Sequence, residues 1–296
     1  VAGDEGYWAI LNESAELQVT GLPTLDVEYA VHTGNNFLSY SYSDGQSIEN
    51  ALPSDAADNT QYIYGEGGAA LNTDGGWAGS LALLGFEGGK GYWFGASTNF
   101  VFEYNVPADG VAANYSPTPM PEVPYQLAFK QSPHQYFYFV DEATIEGADL
   151  NYGDWLVAYN NDVIVGSRMY TGITMTDIPI MGEDTTVEVL ANHTAGYCKD
   201  GDVPSIKIHR TTGEIVNMHI IALEGSLAFS GLGHAIVELV KYPGDLNGDN
   251  QVNVVDIVAL VYLILNFGEN TSADLNGDGL VNIVDVIMLV NMVLNF

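Results

Sequence analysis

The chain has very little positive charge. Seven Lys and Arg face 38 Asp and Glu across 296 residues, a formal net charge of −31. A surface of that sign repels phosphate backbones and acidic lipid, which excludes nucleic acid and anionic membranes as partners. Cysteine is almost absent too. With Cys198 alone, no disulfide can form within the chain, so stability must come from packing or bound ions. No cation-rich sequence surrounds Cys198 to activate its thiol. The six histidines, at positions 32, 134, 193, 209, 219 and 234, never fall at the spacing of an HExxH metal helix. Neither a G-x-S-x-G elbow nor a G-x-x-x-x-G-K-[ST] phosphate loop occurs. No apolar run reaches the roughly 20 residues that a membrane-spanning helix needs. The opening Val1-Ala-Gly3 reads as a mature or trimmed start, so the lack of a visible signal peptide says little about compartment.

What the chain does have is 47% hydrophobic residues and only 15% charged ones, so it is not an acidic disordered tail. Aromatics at 11% and 33 glycines predict β-rich modules with tight turns. Near the C-terminus one pattern of oxygen-bearing residues occurs twice, 29 residues apart. The first copy places Asp245, Asn247, Asp249, Gln251, Asn253 and Asp256 at loop positions 1, 3, 5, 7, 9 and 12. The second places Asp274, Asn276, Asp278, Leu280, Asn282 and Asp285 at the same positions. Position 7 contributes a main-chain carbonyl, so Leu280 serves there as well as Gln251. A calcium ion takes six to eight oxygens at about 2.3–2.6 Å, which this spacing supplies from one short loop. Two Ca2+ ions are therefore expected.

Tandem calcium loops, each followed at once by an apolar helix, closely resemble a dockerin domain over residues 243–296. Asp at position 12, where a standard EF-hand loop has Glu, agrees with that family. Asn250 at position 6 departs from it, because glycine usually makes this turn; Asn tolerates positive φ, and a weaker first site is expected. The resemblance implies a cohesin-like partner and a protein outside the cell or on its surface. It also places the partner-contacting positions 10 and 11 at Val254, Val255, Ile283 and Val284. The runs Ile257–Leu265 and Val286–Val290 are apolar on nearly every face, so two helices packed together would leave much of that surface needing a further neighbour.

The front of the chain carries a broken repeat. Gly6-Tyr7-Trp8 recurs as Gly91-Tyr92-Trp93, and the alternation Ala15, Leu17, Val19 recurs as Phe100, Phe102, Tyr104. Residues 1–24 thus read as an orphan β-hairpin ahead of a complete β-module at 25–107. It is a fragment edge, a fold-back, or a pair of strands donated to a neighbouring subunit through Tyr7 and Trp8. Donation would build a head-to-tail homo-polymer, since contacts that do not close make filaments. A proline-rich linker occupies 108–125 and a second β-module 126–242. Both modules also resemble, more loosely, β-modules found beside dockerins in secreted bacterial surface proteins.

The fold class expected is mostly β: two sandwich-like modules followed by a small α-helical calcium-binding domain. The function expected is non-catalytic, a calcium-stabilised subunit of an extracellular fibre or appendage. The alternative is an accessory protein that binds polysaccharide within a cohesin–dockerin complex. Glu66, Asp154 and the pair Glu183–Asp184 are the carboxylates with any claim to chemistry or a further cation, and ordinary turn or surface roles explain them better. Tyr7, Trp8, Tyr92 and Trp93 fit a core more readily than a sugar platform. Sequons at Asn12, Asn192 and Asn270 permit N-glycans.

Overall fold

The computed structural model describes residues 27–107, 117, 119–173, 175–186, 188–249, 251–266, 273–276 and 278–295. These residues form three sheets and a helical tail, in line with the mostly β class expected. In the first module β2 (Gly34–Ser39), β3 (Thr60–Tyr64), β4 (Ala69–Thr73), β5 (Gly76–Ala78) and β6 (Gly91–Ala96) form an antiparallel sheet ordered β2-β6-β3-β4-β5. A separate ribbon pairs β1 (Tyr29–Val31) with β7 (Phe100–Phe102). Short helices α1 (Ile48–Ala51), α2 (Ser54–Asn59) and α3 (Ser80–Leu84) complete the module. Ser47 caps α1 by accepting from the Asn50 amide, as its sequence suggests.

In the described copy of the repeat, the Gly-Tyr-Trp strand and its follower are not hairpin partners. β6 pairs with β2 and β3, whereas β7 pairs with β1. The expected orphan hairpin at residues 1–24, with Tyr7, Trp8 and the Asn12 sequon, lies outside the described residues. The segment Trp77–Leu81 divides at Gly79 between β5 and α3.

The second module is a sandwich built from one continuous ladder. Its strands are β8 (Gln135–Ile145), β9 (Ala148–Asp149), β10 (Trp155–Asn160), β11 (Val163–Met169), β12 (Thr176–Met181), β13 (Ser205–His209), β14 (Ile215–Gly225) and β15 (Gly233–Lys241), with helix α4 (Glu188–His193) beside them. β14 belongs to both layers: Ile215–Met218 pairs with β13, and His219–Gly225 pairs with β15. One layer is therefore β11-β10-β13-β14 and the other β14-β15-β8-β12, with β9 attached to β8. Tyr138, Ile178, Val237 and Leu239 from one layer meet Leu156, Val165, Ile206 and Ile208 from the other in a single core. The layers touch closely at β11 and β12, where a Cβ on Gly166 would fall 1.6 Å from the Pro179 carbonyl oxygen. Only glycine fits there.

The two modules share a core. On β3, Ile63 points into the first module's interior while Tyr64 points out, against Phe137 and Phe139 of β8. Both faces of the five-stranded sheet are thus covered, which accounts for its runs of large residues on consecutive positions. A buried ion pair fixes this seam. Asp177 on β12 accepts from the Ala69 amide (3.1 Å), the Ser80 amide (2.6 Å) and the Ser80 hydroxyl (2.8 Å). Arg168 lies 2.9 Å from the same carboxylate and donates to the Gly67 carbonyl as well. Burial pushes the Asp177 pKa upward, against the pull of Arg168 and of the Ser80 donors.

The tail consists of two loops, each opening a helix: α5 (Val254–Leu265) and α6 (Ile283–Asn295). Their inner faces meet through Leu260 and Leu289, both fully buried, with Val286 and Ala273. No helix among the described residues is long and apolar enough to cross a membrane.

Candidate metal centre and the helices it opens

Each loop is organised around its position-12 carboxylate. Asp256 Oδ1 accepts from the Leu246 and Asn247 amides at 2.8 and 3.1 Å, and its Oδ2 accepts from the Asn253 amide at 2.9 Å. Asp285 repeats the scheme with Leu275, Asn276 and Asn282 at 2.9, 3.3 and 2.8 Å. Both carboxylates are completely buried. Three backbone donors satisfy most of each group's roughly four lone-pair sites. Aspartate suits this place because a longer side chain would overshoot the amides of its own loop.

Position 9 starts the helix. The Asn253 side chain accepts from the Val255 amide, and with Asp256 it forms a capping box; Asn282 likewise accepts from the Val284 amide. Positions 3 and 5 are linked within each loop, Asn247 to Asp249 and Asn276 to Asp278. The position-6 turn of the second loop is Gly279, at φ +83°. Asn250, its counterpart in the first loop, lies outside the described residues.

In the first loop one oxygen each from Asp245, Asp249 and Asp256 lie within 4.8 Å of one another, the only such cluster of three or more ligating groups among the described residues. A purely oxygen set, with no thiol or imidazole, fits a hard divalent cation. Of the predicted residues, Asp245, Asp249 and Asp256 come together, and the Asn247 side chain hydrogen-bonds to Asp249 beside them. Asp274, Asn276, Asp278, Leu280, Asn282 and Asp285 repeat the backbone scheme but do not bring three carboxylates as close.

The helices present matched outer faces. Val254 and Ile283 are 63% and 65% exposed, Val258 and Ile287 63% and 56%, Leu265 and Leu294 72% and 75%. Val255 and Val284 are exposed too. The same residue types stand bare at the same positions of both copies, which includes all four predicted partner contacts on these helices.

Elsewhere the candidates take structural places. Cys198 is buried and its thiol is pushed up to about 12, first by burial and then by Asp202, so it is no nucleophile at neutral pH. Glu66 pairs with Lys90 at 2.9 Å on the surface. Asp154 is buried and accepts from the Asn151 and Thr211 amides. Glu183 pairs with Lys199, and Asp184 is buried where its carboxylate takes the Thr186 amide. Tyr92 is core; Trp93 is half-buried on the seam side and stacks on Phe37 at 4.7 Å. Asn192 is exposed on α4, while the sequon's Thr194 is buried and donates to the Leu190 carbonyl. Asn270 lies outside the described residues.

Sequence reasoning missed the seam clefts. One, of about 910 Å³, is lined by Tyr62, Met175, Glu224 and His234; its neighbour, about 550 Å³, is lined by Trp77, Leu83 and Met175. They combine residues more than a hundred positions apart, and no local signal marks them.

Residues 243–294 match the family model described as dockerin type I domain. The chain carries a C-terminal dockerin domain, a calcium-binding, non-catalytic module whose role is to dock on a cohesin in assemblies outside the cell or on its surface. No curated protein and no solved structure matches the chain.

Proposed function

We propose that this protein is a non-catalytic, secreted building block, held in an extracellular assembly by calcium-dependent docking of α5 and α6 on a cohesin-like partner. The observation that carries this reading is the bare apolar stripe repeated on both helices directly after each loop. Side chains such as Val258 and Ile287 gain about 1.5–3 kcal/mol each when covered, so a partner that fits the stripe is strongly favoured. Two Ca2+ ions, one per loop, hold the stripe in shape. Because the contact is apolar rather than lined with hydroxyls, it suits a long-lived joint. In the sharper version, residues 1–24 enter a neighbouring copy and subunits run head to tail as a fibre.

The test is capture of the purified chain by an immobilised cohesin domain in calcium. Binding is expected to vanish with chelator and in the double variant Val258→Asp, Ile287→Asp. Capture that survives both would sink the reading. Deleting residues 1–24 addresses the fibre separately: polymers that persist unchanged rule out strand donation.

The seam clefts favour a second reading, an accessory protein that binds polysaccharide. Tyr62 and Trp77 offer ring faces, and Asp58, Asn72, Asp74 and Glu224 offer acceptors to hydroxyl groups. Loss of oligosaccharide binding in Trp77→Ala would establish it.

A further inference from the structure

The first calcium loop already holds a cation of the protein's own. Lys241, the last residue of β15, is nine-tenths buried at the junction between the sandwich and the tail. Its ammonium donates to the Asp245 carbonyl and lies 3.2 Å from Asp245 Oδ2. Asp245 is the position-1 residue of the three-carboxylate cluster. Lys241 is also the last basic residue in the sequence. Its backbone is anchored in the sandwich, where its carbonyl accepts from the Glu146 amide at 2.9 Å.

We propose that Lys241 is a built-in competitor for the metal at the first loop, and that filling this site loosens the tail's grip on the sandwich. This rests on the reading of that loop as a calcium site. Three carboxylates drawn together repel one another, and an ammonium beside one of them offsets part of that charge in the metal-free loop. A divalent ion offsets it better, but it must then sit close to a fixed positive charge. The ammonium has somewhere to go. A cavity of about 220 Å³ at the junction is lined by Lys241 and Asp245 together with Glu146 and Glu214, carboxylates outside the loop. Movement of the ammonium toward either one breaks the contact that ties position 1 of the loop to the end of β15. The loop's calcium affinity and the attachment of the tail are then one equilibrium, and each biases the other by the same factor.

Calorimetric isotherms of the full chain with calcium alone test the proposal. Lys241→Gln is expected to tighten one class of site by about tenfold or more and leave the other where it was. Lys241→Arg, which keeps the charge, is expected to preserve the wild-type isotherm. If Lys241→Gln folds and binds as the wild type does, Lys241 is no competitor. Should that variant fail to fold, the wild-type chain labelled with ¹⁵N-lysine decides, since it has five lysines. The Lys241 ammonium signal, identified by its loss in Lys241→Arg, must move as calcium fills one site; a signal unmoved at saturation overturns the proposal. A wild-type chain that takes up no calcium at all fails earlier, because it removes the calcium reading itself.

Discussion

The β-body and the C-terminal tail distribute their side chains in opposite ways. In the body Tyr64, Phe137, Phe139 and Leu156 are fully buried, and most carboxylates face water. In the tail Asp245, Asp256 and Asp285 are buried, while Val254, Val258, Ile287 and Leu294 stand in solvent. A body of the first kind is stable by its own packing. A tail of the second kind takes stability from what it binds, since each ligand that favours the folded form adds to it. The contrast separates a scaffold from a connector within one chain.

Removing calcium should break the comparison most visibly. With chelator, amide exchange in α5 and α6 is expected to rise to that of an unfolded segment while β8 and β15 keep their protection, because an ion bound only by the folded loop couples metal to folding. Helices that stay protected without metal would show that the tail packs unaided.

The body's counterpart is Asp177. Replacing it with Ala leaves Arg168 buried without its carboxylate and orphans the Ser80 and Ala69 donors. A loss of about 3–5 kcal/mol is expected in denaturant melts of the body, with calcium binding by the tail unchanged. A loss below 1 kcal/mol would mean that the aromatic contacts hold the seam without the ion pair.

A smaller effect follows from His234, which shares a 2.7 Å hydrogen bond with Tyr64 across the seam. Burial lowers its pKa, so the folded chain takes up the proton less readily than the unfolded one. Its contribution is present above the ordinary histidine value of about 6.5 and is lost as pH falls through the depressed one. The melting temperature of the body should therefore decline below that pH, and His234→Gln should flatten the decline. An unaltered slope would assign the acid sensitivity to other groups.

These parts were unequally legible in the sequence. The loops could be read because every ligand lies within twelve residues of the first and the chemistry fixes their spacing. The apolar helices could be read for the same local reason. β14 escaped notice because His219-Ile-Ile-Ala-Leu223 breaks the alternation of a one-faced strand where it passes from one layer to the other. The Asp177 seam was invisible: its partners Ala69 and Ser80 lie 108 and 97 positions away, and nothing near Asp177 announces them. Nothing in the sequence around Lys241 marks its contact with Asp245, which depends on where β15 ends.

The shared core between the β-modules has a consequence for the proline-rich connection that joins them. Since Tyr64 against Phe137 and Asp177 against Ser80 already bind the halves, the covalent path contributes little to keeping them together. Lengthening that path costs only slowly growing chain entropy. Evolution is thus at liberty to rewrite its residues, and force applied along the protein runs through the aromatic contact instead of the connecting peptide.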